Sequence, residues 1–217
     1  MNIGFLGAGR MTEALAPLWT ETGHDVVIGG RTAEKATAIA ERAGARVAPL
    51  DEGWRDADVV VLSVLYQGVT WTLEAAGVTG GALTGKVLID VNNPVEVDEF
   101  QVVEDFQPSL AEHLAATTGA DVVKALNQVE ATVWSTRATF GGAPLVVPVA
   151  TDSDRARGLT EQLVRDAGAV PVDAGPLLQA RNLEAMTAVI IRHLWTGGQS
   201  LSAFQLTVGQ AAVGGAP

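Results

Sequence analysis

The segment Gly7-Ala8-Gly9-Arg10-Met11-Thr12 holds the clearest chemical pattern in the chain. A short apolar run, Met1–Leu6, leads into it, and an amphipathic stretch leads away. In such a strand-to-helix turn the first glycine permits a tight bend. The second lets backbone N–H groups approach a pyrophosphate at a helix N-terminus. Thr12 stands at the third position, where Gly or Ala usually allows close packing. Alone, the two glycines read as a structural turn; the strand before, the helix after and the βαβ spacing point to a dinucleotide. A site for NAD carries Asp or Glu about 20 residues further on, to accept the ribose 2′-hydroxyl. Here the second strand runs into Gly29-Gly30-Arg31-Thr32-Ala33-Glu34-Lys35. The Arg31 fork, the Thr32 hydroxyl and Lys35, one helical turn on, suit a 2′-phosphate. NADP(H) is therefore the expected cofactor, against the plain alternative that Arg31 and Lys35 are only solvated.

Beyond the glycine turn, the residues offer no catalytic triad. Hydride transfer would need none, because it asks for two rings held close with water excluded; a catalytic residue is left unassigned. Asn93 and Asn127 are candidate polar groups at an acceptor site, or equally amides that satisfy loop backbone. Ser63 contacts either the cofactor or the core. Trp134 either stacks on a substrate ring or belongs to the apolar interior. Arg181 and Glu184 read as an ordinary pair one helical turn apart, with a dimer or substrate role as the alternative. There is no cysteine, and His24, His113 and His193 are scattered, so neither a disulfide nor a metal site is expected.

These groups need a scaffold of alternating elements. Strands are expected at Met1–Leu6, Asp25–Gly29, Ala45–Ala48, Asp58–Val64, Lys86–Val91, Asp121–Leu126, Leu145–Ala150 and Val170–Asp173. Helices are expected at Thr12–Thr22, Ala33–Ala43, Ser109–Ala116, Asp152–Ala167 and Ala180–Trp195, with Ser109 and Glu112 in a capping box. Residues 95–108 read as a loop, and Pro148 argues that its strand lies at an edge. This is an α/β pattern. The boundaries expected are a cofactor domain over 1–143, a small C-terminal α/β extension over 144–205 and a frayed tail over 206–217.

The chain has 217 residues and a net charge of -11, from 14 basic and 25 acidic side chains. Nucleic acid and anionic membrane surfaces repel such a protein. No apolar run approaches the roughly 20 residues of a membrane span, and the first residues lack the marks of a secretory signal; a cytoplasmic protein is expected. The acid is concentrated: residues 51–121 hold two basic and thirteen acidic side chains, while the flanking segments are neutral.

The combination of GxGxM, VVIGGRTAEK, VVVLSV, KVLIDVNNPV, DVVKALNQVEA and VPVDAGPLLQARNLEAM resembles the NADPH-dependent coenzyme F420 reductase family, over roughly residues 1–205. The resemblance implies a doubly wound, mostly parallel Rossmann sheet with a small C-terminal α/β part, usually a homodimer. It also implies hydride transfer between NADPH and a deazaflavin, coenzyme F420, stacked on the nicotinamide. By position, Ala8 to Met11 (Ala8, Gly9, Arg10 and Met11) would hold the pyrophosphate, and Gly30, Arg31 and Lys35 the 2′-phosphate; Gly7 and Thr32 join the cofactor site on their own residue types. Val64, Val91 and Ala125 would line the way to the nicotinamide. Read from the residues alone, Ser63, Leu65 and Asn93 are further cofactor candidates, and Asn127, Glu130 and Trp134 are candidates for the substrate pocket. Two departures stand out. Gly30 replaces a family serine, and Asn127-Gln128-Val129-Glu130 replaces a segment that often carries His and Pro. Glu96–Asp105 adds five acids near the same mouth, unfavourable to a polyanionic acceptor. Alternatives are therefore a flavin, a ferric chelate, or a small carbonyl or imine as acceptor, or a non-catalytic NADP sensor. The partner expected is a small-molecule hydride acceptor.

Overall fold

In the computed structural model, which describes residues 1–96, 98–138 and 142–197 (the side chains of 194, 195 and 197 excepted), strands and helices alternate as the apolar pattern requires. The first half consists of β1 (Asn2–Leu6), α1 (Arg10–Glu21), β2 (Asp25–Gly29), α2 (Ala33–Ala43) and β3 (Arg46–Val47). The second consists of β4 (Val59–Leu62), α3 (Val69–Ala75), β5 (Val87–Asp90), β6 (Val95–Glu96), β7 (Gln101–Val102), α4 (Leu110–Thr118) and β8 (Asp121–Lys124). Then follow α5 (Ala131–Ser135), β9 (Val146–Ala150), α6 (Asp154–Asp166), β10 (Val170–Gly175) and α7 (Ala180–Gly197). The expected tail, 206–217, lies outside the described residues.

Eight strands form one sheet in the order β10-β9-β8-β5-β4-β1-β2-β3. All neighbours are parallel except β8 and β9, which meet antiparallel at Lys124 opposite Ala150. Strands covered on both faces can be apolar without alternation, and β4 and β5 are buried at every position. One core lies under α1, α2, α5 and α6, and a second under α3 and α4. Trp19 on α1 joins the first core: its ring stacks on Phe5 at 5.6 Å, and its Nε1 donates to the Leu163 carbonyl of α6 at 2.9 Å. Burying such a side chain contributes ~1.5–3 kcal/mol. The chain crosses from one face to the other between β1 and β4. The sheet therefore has its switch point there, where ligands of open α/β sheets collect.

Several expectations need correction. Residues 95–108 are no plain loop: β6 and β7 pair as a short hairpin, and Glu104–Phe106 forms a turn of 3-10 helix. The strand with Pro148 is not at the edge, because β10 pairs outside it. On its other side β9 makes only the single bridge to β8, so a missing N–H is tolerated much as at a true edge. The helices α3 and α5 were not legible. The cap of α4 is as expected: the Ser109 hydroxyl accepts from the Glu112 N–H and donates to the Glu112 carboxylate at 2.7 Å.

Candidate functional site

The glycine turn sits between β1 and α1, directly above the switch point. Gly7 has φ +122, and a Cβ there would stand 2.2 Å from the Ser63 carbonyl oxygen. Its N–H donates to the Gly29 carbonyl at 2.8 Å, which fixes the turn against β2. Gly9 caps α1 with no side chain in the way, leaving the first N–H groups of the helix open. Thr12, at the departing third position, is fully buried and replaces close packing by a tie. Its hydroxyl donates to the Gly7 carbonyl at 2.7 Å and lies 2.9 Å from the Ser63 hydroxyl. Ser63 is thus joined to the turn through Thr12. Gly30 also has a steric reason: a Cβ there would come within 3.0 Å of the Ala8 Cβ. The serine of the family pattern would crowd that contact.

Arg31, Thr32 and Lys35 are exposed beside this turn. Most arginines of the chain are engaged by carboxylates: Arg10 by Glu130, Arg42 by Glu13, Arg46 by Asp25, Arg165 by Glu161 and Arg181 by Glu112 among them. Arg31 and Lys35 meet no carboxylate among the described residues. Arg31 lies instead over the Trp71 ring, 5.8 Å from its centroid. A dinucleotide fits these residues: open helix N–H groups for a pyrophosphate, a tight turn that admits only glycine at position 7, and two cations without carboxylate partners among the described residues.

The residues expected along the nicotinamide path divide. Val91 and Ala125 are buried at the carboxyl ends of β5 and β8, Val64 is half-buried, and Leu65 is 81% exposed. Val64 donates its N–H to Asn92 Oδ1 at 3.0 Å. Asn93 and Asn127 come together. Asn93 Nδ2 donates to the Asn127 carbonyl at 2.8 Å, and Asn127 Nδ2 lies 3.0 Å from both Asn93 Oδ1 and Thr187 Oγ1 of α7. Their amides bind loops and helix to one another. Gln128, next to them, has both side-chain polar atoms buried without a partner. Glu130 caps α5 by accepting the Thr132 N–H at 2.7 Å, and it pairs with Arg10. Its charge is therefore partly neutralised. Trp134 packs in the core and lines a separate cavity of about 290 Å3 with Leu18, Arg137 and Leu145.

Sequence reasoning missed the most strongly buried charges. Lys124 is fully buried at the end of β8, opposite Asp90 in register on β5. Its ammonium donates to Asp90 Oδ2 at 2.8 Å and to the Asn92 carbonyl at 2.7 Å. Glu184 Oε1, from α7, lies 2.9 Å away as an ion pair outside hydrogen-bond geometry, while its Oε2 accepts the Leu110 N–H at 3.2 Å. Burial pulls the Lys124 ammonium down, but Asp90 and Glu184 together outweigh it and hold it above the ordinary 10.5. Burial pushes Glu184 up, against the pull of Lys124. Arg181 does not pair with Glu184 as expected. It forks onto Glu112 at 2.6 and 2.9 Å, and this hydrogen bond holds Glu112 below its usual value. A signal was present: Asp90 and Lys124 interrupt otherwise apolar strands, and charges so placed must be paired.

Fold and turn together define a dinucleotide-binding protein of the doubly wound class. The family model described as "NADP oxidoreductase coenzyme F420-dependent" matches residues 2–94. The F420-dependent NADP reductase of Methanothermobacter marburgensis is 30% identical over 209 residues, covering 88% of this chain and 91% of that protein. The chain therefore belongs to the F420-dependent NADP oxidoreductase family. Metalloreductase STEAP3 of Rattus norvegicus is 31% identical over 186 residues, 85% of this chain. The chain spans 36% of the length of that relative. A crystal structure from Arthrobacter sp. FB24, provisionally assigned as an F420-dependent NADP reductase, superposes with a TM-score of 0.80 at 24% identity, covering 96% of this chain and 99% of that one. That last likeness establishes the fold.

Proposed function

We propose that this protein is an NADP(H)-dependent reductase that passes a hydride between the nicotinamide and a small-molecule acceptor, with the deazaflavin coenzyme F420 as the leading acceptor. The observation that carries the cofactor half is a glycine turn with open helix N–H groups and no room for a Cβ at Gly7, flanked by Arg31 and Lys35, which meet no carboxylate among the described residues. Gly7 to Met11 hold the pyrophosphate, and Arg31, Thr32 and Lys35 hold the 2′-phosphate. Ser63, through Thr12, keeps the turn closed. The bound cofactor supplies the hydride. The chain's part is to orient it: the Asn93–Asn127 amide pair and the Lys124 cluster hold the loops after β5 and β8, next to Gln128 and Glu130. The family and the relative from Methanothermobacter support F420 as acceptor. A specific observation favours a second reading, an acceptor without a polyanionic tail. In the hairpin segment Asp98, Glu99, Glu104 and Asp105 lack cationic partners among the described residues, and Glu96 is held by the Tyr66 hydroxyl at 2.6 Å.

Isothermal titration tests the cofactor: NADPH should bind at least tenfold more tightly than NADH, a difference of ~1.4 kcal/mol, and Arg31→Ala should remove most of it. Equal binding of the two would overturn the NADP assignment. Stopped-flow oxidation of NADPH by coenzyme F420, FMN and a ferric chelate then identifies the acceptor. Tight binding with no oxidation by any of them would leave a sensor. We further propose a homodimer in the cytoplasm, on the family resemblance; sedimentation velocity at several concentrations tests the first part.

A further inference from the structure

We infer that Trp71 is a specificity-determining positioning residue, which holds the Arg31 guanidinium ready for the 2′-phosphate of NADP(H). This rests on the proposed cofactor. The two residues come from opposite faces of the sheet. Arg31 leaves β2 ahead of α2, whose buried side chains belong to the first core, whereas Trp71 lies on α3, which packs into the second. Their contact therefore spans the switch point, alongside the glycine turn.

The geometry matters because Trp71 is 46% exposed, so burial accounts for only part of the place of this large aromatic side chain at the surface. Its ring takes the guanidinium at 5.8 Å. The ring face attracts the charge without offering a hydrogen-bond acceptor, so it leaves the N–H donors unspent, and those donors form the fork that grips phosphate. Ring and phosphate can thus be bound at once, by different parts of one group. With no carboxylate beside Arg31 among the described residues, the ring restrains this long side chain without neutralising it. That lowers the entropy lost when the phosphate arrives. A carboxylate at position 71 would also hold Arg31, but it would compete with the phosphate for the same charge.

The test is isothermal titration of the full chain with NADP+ and NAD+, for the wild type and for Trp71→Leu, Trp71→Phe and Arg31→Ala. Ordering one long, rotamer-rich side chain in advance is worth about two- to tenfold in affinity. Trp71→Leu should therefore weaken NADP+ binding by that factor and leave NAD+ binding unchanged. Trp71→Phe, which keeps an aromatic face, should restore most of the loss. Trp71 should also report directly: the tryptophan emission change on adding NADP+ should shrink in Trp71→Phe. If Trp71→Leu leaves NADP+ binding intact while Arg31→Ala weakens it, the positioning role is wrong and the cofactor assignment stands. If Trp71→Leu weakens both nucleotides equally, Trp71 serves the shared adenosine and the proposal also fails. If Arg31→Ala has no effect either, the 2′-phosphate site itself is wrong.

Discussion

At the scale of single residues, the two glycines of the turn do different work, and substitution should separate them. A Cβ on Gly7 would strike the Ser63 carbonyl oxygen at 2.2 Å, at a backbone φ of +122 that side chains rarely adopt. Backbone strain of that kind costs ~1–3 kcal/mol before the clash is added. Gly7→Ala should therefore shift the urea midpoint downward as well as abolish NADPH binding. Gly9 has an ordinary φ, and its Cβ would find the same oxygen at 3.2 Å, a contact that a small shift relieves. Gly9→Ala should keep nearly the wild-type midpoint yet lose NADPH affinity, because the second glycine of such a turn lets a pyrophosphate approach the helix N–H groups closely. Equal loss of stability in both variants would show that Gly9 is structural and not a cofactor contact. Thr12 adds a sharper point about reading motifs: the departure from Gly or Ala is compensated by its bonds to Gly7 and Ser63. The motif's third position was thus met by a different kind of interaction, which no spacing rule would reveal.

At the scale of elements, the Lys124 cluster joins four of them: β5 through Asp90, β8 through Lys124, α7 through Glu184 and the start of α4 through the Leu110 N–H. Removing one partner of a buried ion pair typically costs ~3–5 kcal/mol, because the others are left as uncompensated charges. Lys124→Met should lower stability by about that amount in urea unfolding, and adding Glu184→Gln should recover part of it by removing one stranded carboxylate. Simple additivity of the two changes would argue against the coupling. The pH dependence has a defined sign. Lys124 is raised above 10.5 in the folded state, so its contribution is complete below that value and is lost as pH rises beyond it. The gap between wild type and Lys124→Met should narrow in that alkaline range. Periodicity revealed β1, β2, β4, β5 and α2 because their apolar patterns are strong and their ends are marked by glycine or a turn. It failed for α3, whose Val-Thr-Trp-Thr run has the composition of a strand, and for the hairpin β6–β7, which is too short and acidic to show alternation. The turn of the candidate site was legible because its residues are contiguous. Lys124, Asp90 and Glu184 were not, since only the fold brings them together, and Glu184 had a plausible local partner in Arg181.

At the scale of the whole molecule, the acidic excess of residues 51–121, which accounts for the net charge of -11, includes two clusters. Asp51, Glu52 and Asp56 line a cavity of about 480 Å3 that reaches Asn2 at the amino end of β1, away from the glycine turn. Asp98, Glu99, Glu104 and Asp105 follow β5, past its carboxyl end, the side from which the proposed acceptor would approach. Only the second group bears on catalysis, and it does so through a field that salt screens over about 10 Å at 0.1 M. An anionic acceptor should then gain from added salt, whereas an uncharged one should not. The measurement is the rate of NADPH oxidation, as kcat/KM, for the deazaflavin coenzyme with its anionic tail and for the same ring system without it, between low and moderate sodium chloride. NADPH must be saturating, so that its own phosphates do not contribute to the slope. A rate that rises with salt for the tailed acceptor and stays flat for the tail-less one is expected from the unpartnered hairpin carboxylates. A rate that falls with salt for the tailed acceptor would mean that cations guard the mouth after all. The reductase would then be suited to a polyanionic partner despite its overall charge.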